Sequence, residues 1–310
     1  MKKNVFLFPG QGAQYPGMGL DILDVSEGAK KVFEAASDIL EKDMITIIRD
    51  SDAEALKRTD ISQTAISAAS LAAAAFLRER DILPFACAGF SLGEYPALNQ
   101  AGVISIEDCF RLTNERGKAM QSAAESIRQR SEEPPCMAAV TGLSCEQVEV
   151  LIAEWKLTDL FAANINSPKQ TVVSGSAAAL AEAENRFKEA GAKRFIRLQV
   201  AGPFHSPFMK EAADVFSPVL AKTVFNDPKV PLFSNVTGKQ IFSGEEAKKL
   251  ALLHITSPVR WVEEEAAVAE LGVEACFEVG PGKVLQGLWK DSGSVIPVYP
   301  AGTAKDIQDL

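Results

Sequence analysis

The chain has 310 residues, 47% of them apolar and 24% charged, with a formal net charge of -9. That is enough chain to bury a large core, and its acidity argues against nucleic acid or an anionic membrane surface as partners. Two histidines, and five cysteines without a C-x-x-C pair, exclude zinc sites built on several imidazoles and argue against a disulfide framework; free thiols in a reducing cytoplasm, and no metal, are expected.

The run Val5-Phe6-Leu7-Phe8, stopped by Pro9-Gly10, predicts a short buried strand and is too short for a signal peptide. A loop over 10–14 follows, and residues 28–50 carry helical periodicity. A second helix is predicted over 62–77, capped by Ser62 or Thr64. Its apolar part, 65–77, is too short to span a membrane and reads as a buried helix. Residues 85–89 predict a second buried strand, 90–93 a turn, and helices continue to Gly102 and over 108–126.

The charged stretch 128–135, ending in Pro134-Pro135, marks a boundary. Beyond it the pattern reads strand (137–140), helix (144–155, with Ser144 as N-cap and Gln147 completing a capping box), strands (161–165 and 171–174), helix (177–190, closed by Gly191) and strand (195–200). This β-α-β-β-α-β order predicts a ferredoxin-like subdomain over 136–199, inserted between segments 1–130 and 200–310 of a larger α/β domain.

The strongest chemical signal is Gly89-Phe90-Ser91-Leu92-Gly93, a G-x-S-x-G sequence between a predicted strand and a predicted helix. Such a turn exposes the serine hydroxyl and points the following amide, on Leu92, at the same place. By pattern alone a glycine-rich turn with an incidental serine fits as well; the flanking elements favour the elbow. Serine needs a base. Of the two histidines, His205 sits in the turn-rich Gly202-Pro203-Phe204-His205-Ser206-Pro207, whereas His254 lies among apolar residues and reads as a packed core histidine. Gly10-Gln11-Gly12 is no dinucleotide fingerprint, since Tyr15 stands where the third glycine belongs; its Gln11 amide is a candidate second oxyanion donor.

Five motifs in order resemble the malonyl-CoA:acyl-carrier-protein transacylase family: residues 8–14, the Ser91 elbow through Glu94, Arg116-Gly117-Lys118-Ala119-Met120, residues 202–206, and Glu278-Val279-Gly280-Pro281-Gly282. The match runs from Val5 to about Leu288. The resemblance implies an α/β-hydrolase-like large domain, Ser91 as acyl-accepting nucleophile and His205 as its base. It implies Gln11 and Leu92 amides as oxyanion hole, and Arg116 as anchor for the malonyl carboxylate, which its planar fork suits. Phe204 resembles the residue associated with choosing malonyl over methylmalonyl groups. The family implies malonyl-CoA as substrate, an acyl carrier protein as partner and no cofactor of its own.

Two positions depart from the family pattern: Phe90 stands in place of histidine and His254 in place of glutamine. Both put rate and selectivity in question more than reaction class. If only the backbone carbonyl at 254 matters, the change to His254 is tolerated. Pro96, early in the following helix, removes one backbone bond if that helix starts at Leu92. Arg186, Lys188, Lys193, Arg194 and Arg197 are a candidate docking patch for an acidic carrier, or a solvated helix face. Fatty-acid synthesis is the default pathway. The alternatives are a stand-alone polyketide acyltransferase, an acyl-carrier hydrolase and a non-catalytic carrier-binding subunit.

Overall fold

The computed structural model describes residues 2–310. Its N-terminal part sets two strands among helices: β1 (Asn4–Phe8), α1 (Glu27–Leu40), α2 (Met44–Asp50), α3 (Thr59–Glu79), β2 (Ala86–Gly89), α4 (Glu94–Gln100) and α5 (Ile106–Gln129). A second group follows: β3 (Cys136–Thr141), α6 (Cys145–Trp155), β4 (Leu160–Ser167), β5 (Gln170–Gly175), α7 (Ala177–Glu189) and β6 (Arg194–Arg197). The chain closes with α8 (Lys210–Lys222), β7 (Leu232–Phe233), β8 (Gln240–Ile241), α9 (Gly244–Leu253), α10 (Trp261–Glu270), β9 (Ala275–Glu278), α11 (Val284–Asp291), β10 (Val298–Pro300) and α12 (Ala304–Gln308).

Two sheets form, and the fold is α/β. The larger has strand order β10-β9-β1-β2-β7-β8, parallel except for the antiparallel pair β7 and β8. All five residues of β1 are buried, as a central parallel strand requires, because helices cover both faces. Alternation assigns the faces: Phe6, Phe8 and Cys87 pack into one apolar cluster, and Val5, Leu7, Ala86 and Ala88 into the other. The smaller sheet is antiparallel throughout, in the order β4-β5-β3-β6, with its own apolar cluster around Val140, Val173, Leu180 and Phe187.

Several boundaries differ from the sequence reading. Helix α3 begins at Thr59, not Ser62, and neither Ser62 nor Thr64 caps it; its N-cap residue Arg58 makes no side-chain cap bond. The Thr59 amide instead donates to Gln121 Oε1 on α5 at 3.2 Å, so a tertiary partner does the work of a cap. At 21 residues α3 is long and apolar enough to cross a membrane by length and composition alone, but 83% of its apolar window is buried inside the protein. Helix α5 runs through Gln129, confining the break before β3 to 130–135. Strand β6 stops at Arg197 rather than 200. The capping box of Ser144 with Gln147 forms as expected.

The register of β1 and β2 pairs Phe8 with Gly89. The two loops leaving the C-terminal ends of these strands, 9–14 and 90–93, therefore emerge side by side. That edge is where parallel α/β sheets present their sites.

Candidate active site

Ser91 opens a single 3-10 turn, Ser91–Gly93, that leads into α4. Its φ is 50° and that of His205 is 54°. The other non-glycine residues with positive φ, Glu41, Asp81 and Lys156, lie just past helix C-termini, where that conformation is ordinary. At Ser91 and His205 it is local strain held by the surroundings. The elbow's glycines are required by space: a Cβ on Gly89 would fall 2.1 Å from the Gly93 carbonyl, and one on Gly93 2.0 Å from the Phe8 oxygen. The same closeness brings Gly10, whose Cβ would lie 2.4 Å from the Phe90 oxygen. Gln11 is thereby set beside Ser91.

The Ser91 hydroxyl lies 2.8 Å from His205 Nε2. On the far side of the ring, Nδ1 donates to the His254 carbonyl at 3.0 Å. That bond fixes the tautomer and leaves the Nε2 lone pair facing the serine. Burial, helped by the charge of Arg116 and opposed by backbone acceptors at His254 and Ser257, pushes the imidazole down to about 4. His205 is thus neutral at physiological pH and able to take a proton.

These residues line a cleft of about 920 Å³ together with Gln11, Leu92, Arg116, Phe90 and Phe204, and the smaller sheet closes its other wall with Asn164, Asn166 and Gln170. The backbone amides of Gln11 and Leu92 have no protein acceptor among the described residues. Arg116 is only 1% exposed. Its Nη1 donates to Gln63 Oε1 at 2.8 Å, while Nε and Nη2 have no partner. A buried guanidinium with two unpartnered nitrogens is costly unless an anion completes it, and a carboxylate fits that fork. Its face rests 5.6 Å from the Tyr95 ring centroid. Among the described residues no group of three or more His, Cys, Asp and Glu side chains is arranged to hold a metal ion.

Residues 5–304 match the acyl transferase domain family. A malonyl CoA-acyl carrier protein transacylase of Bacillus subtilis (strain 168) is 38% identical over 294 residues, covering 94% of this chain and 90% of that protein. The chain belongs to this family. The acyl carrier protein S-malonyltransferase of Vibrio cholerae superposes with a TM-score of 0.92 at 34% identity, covering 99% of both chains. A malonyl-transacylase solved in complex with its type II PKS acyl-carrier protein superposes at 0.91 and 34% identity, covering 99% of this chain and 98% of that one.

The two departures from the family pattern have distinct surroundings. Phe90 packs edge-on against Trp261, centroids 5.5 Å apart. The His254 side chain is fully buried behind His205, the two rings 5.1 Å apart, and lines no part of the cleft. Burial first, then His205 and Arg116, drive its imidazole far below the usual range, so it stays neutral. Pro96 is the third residue of α4, where an α-helix has no internal acceptor for its amide and proline costs little. Of the five basic residues, Arg186 is paired with Glu182 and Lys188 with Glu184, whereas Lys193, just before β6, and Arg194 and Arg197 on it are exposed.

Three residues at the site escape a reading of the sequence. Gln63 holds Arg116 from α3 and is buried; its only signal in the sequence is a polar side chain at the start of an alanine-rich run. Glu94 is buried and pushed up to about 7 by desolvation, against hydrogen bonds from Asn235 and the charge of Arg116. Asn235, fully buried, bonds the Ser91 amide, the Gly89 carbonyl and Glu94. No local pattern marks it.

Proposed function

We propose that this chain transfers a malonyl group from malonyl-CoA to the phosphopantetheine thiol of an acyl carrier protein, through a malonyl ester on Ser91. The observation that carries the reading is the 2.8 Å contact between Ser91 Oγ and His205 Nε2, in the same cleft as a buried arginine with unmade bonds. Ser91 Oγ attacks the thioester carbonyl while His205 Nε2 takes its proton. The amides of Gln11 and Leu92 donate to the tetrahedral oxyanion, a role worth about 10²- to 10³-fold per donor in such sites. The carbon–sulfur bond breaks, His205 returns the proton to the departing sulfur, and coenzyme A leaves. The malonyl ester remains, its carboxylate on Arg116. The carrier thiol then gives its proton to His205, attacks the ester, and Ser91 is released with its proton restored. Phe204 narrows the space beside the acyl C2 and favours an unbranched group.

The chain's own side chains supply this chemistry without a cofactor. The strand order β6-β3-β5-β4, antiparallel throughout, supports a ferredoxin-like subdomain over 136–199. The elbow between β2 and α4 supports an α/β-hydrolase-like domain from 1–130 and 200–310. Five free cysteines fit a cytoplasmic setting. Fatty-acid synthesis is the pathway assigned; the similarity to a type II PKS partner enzyme favours polyketide synthesis as the second reading.

Intact-mass spectrometry after mixing with malonyl-CoA tests the proposal. A malonyl adduct that maps to Ser91, vanishes in Ser91→Ala, and is discharged by a holo carrier protein is the expected result. Free malonate without carrier loading would mean a hydrolase. Neither adduct nor turnover would mean a carrier-binding protein.

A further inference from the structure

Strand β7 pairs with β2 at a single position, Cys87 with Leu232, and the Cys87 amide donates to Pro231. Past Phe233 the chain turns into the β7–β8 hairpin, closed by the Gly238 amide on the Ser234 carbonyl. The edge of β2 that leads to the elbow therefore loses its backbone neighbour two residues before the strand ends. The Asn235 side chain fills the gap. Its Oδ1 accepts from the Ser91 amide at 2.6 Å and its Nδ2 donates to the Gly89 carbonyl at 2.5 Å. This is the pair of bonds that a further strand residue would make. Asn235 is itself fixed: its amide donates to Glu94 Oε2 at 2.9 Å and its carbonyl accepts from the Arg260 amide at 2.8 Å.

We propose that Asn235 is a positioning residue: its amide group substitutes for a missing strand and clamps both sides of the elbow, holding Ser91 in its positive-φ conformation with Oγ on His205. The proposal rests on the reading of Ser91 as acyl acceptor. A primary amide is needed because one bond must be accepted and the other donated. Alanine makes neither, and an ionised aspartate cannot donate to Gly89. A protonated aspartic acid, with one acceptor and one donor, restores both.

The test measures single-turnover acylation of the full chain by malonyl-CoA. Asn235→Ala is expected to lower the acylation rate about 10²-fold, the scale of misplacing a reacting group by an ångström, with KM within about twofold. Asn235→Asp is expected to recover as pH falls towards 5. Because Glu94, His205, His254 and Arg116 face the site in both proteins, the ratio of variant to parent rate is the quantity read. An Asn235→Ala protein that acylates within about threefold of the parent, or loses only KM, overturns the proposal. If that variant does not fold, a pH-independent ratio for Asn235→Asp overturns it. Ser91→Ala separates the two readings. An adduct that persists there removes the acyl acceptor and this proposal with it; an adduct lost there but untouched in Asn235→Ala removes only the clamp.

Discussion

Around the large sheet, Glu94, Arg116, His205, His254, Glu264, Glu265 and Glu278 are all buried, whereas the smaller sheet buries only uncharged polar side chains, Asn164, Ser167, Thr171 and Ser174. The smaller sheet keeps its charges in water, with Arg186 and Lys188 on helical ion pairs with Glu182 and Glu184. Exposed pairs of that kind contribute little to stability. Burying a charge costs several kcal/mol unless it is paired, on the order of what a whole domain has to spare. The large sheet bears that cost at Arg116, which lines the cleft, and lessens it elsewhere by favouring neutral forms: desolvation raises Glu94, Glu264 and Glu265 and lowers His205 and His254. The smaller sheet, a wall of the cleft without titratable machinery, has no reason to bear it.

The sharpest way to break this contrast is at Arg116. Replacing it by alanine removes the buried cation and should slow malonyl transfer to Ser91 by about 10²-fold, the scale of a lost charged hydrogen-bond pair, while acylation by acetyl-CoA, which has no carboxylate, changes little. Arg116→Lys should recover only part, since an ammonium cannot grip both carboxylate oxygens. Equal losses with both thioesters would assign Arg116 to the architecture instead.

Acidity gives a second, graded test. A histidine can serve as base only when neutral, and burial pushes the His205 imidazole down to about 4 by disfavouring the charged form. Protonation therefore becomes appreciable only below about pH 5, where the acylation rate should begin to fall, by tenfold per unit below about pH 4. An ordinary imidazole, at about 6.5, would already have lost most of its activity at pH 5. A midpoint near 6.5 in the pH–rate profile would show that the site is wetter than its burial implies.

The smallest effect belongs to the smaller sheet. With Arg186 and Lys188 occupied, Lys193, Arg194 and Arg197 are the members of that patch without an ion pair, and the two arginines on β6 are the pair tested against an acidic carrier. Reversing both to glutamate should weaken carrier use about fivefold, more at low salt, and leave acylation by malonyl-CoA intact. Equal loss in both half-reactions would remove the docking role.

Much of this was legible in the chain itself. The apolar runs at Val5–Phe8 and 85–89, the G-x-S-x-G turn and the β-α-β-β-α-β order from β3 to β6 are local patterns of period, turn residues and caps, and those are set by short-range sterics and hydrogen bonding. Arg116 took on meaning only through resemblance, and the Gln11 amide was no more than a candidate donor without it. A lone arginine on a helix and a glycine-flanked turn carry no chemistry of their own. The start of α3 was missed because its capping partner, Gln121, lies on α5. Gln63, Glu94 and Asn235 were missed because their partners are 53, 141 and 144 residues away in the chain. The sequence by itself determined most elements up to residue 200, the elbow and the two candidate reacting side chains. Only the tertiary structure decided that His205 faces Ser91, that the His254 carbonyl rather than its ring accepts from His205, and that the Asn235 side chain bonds both ends of the turn after β2. Contacts of that kind depend on which surfaces pack together, and no local pattern encodes that.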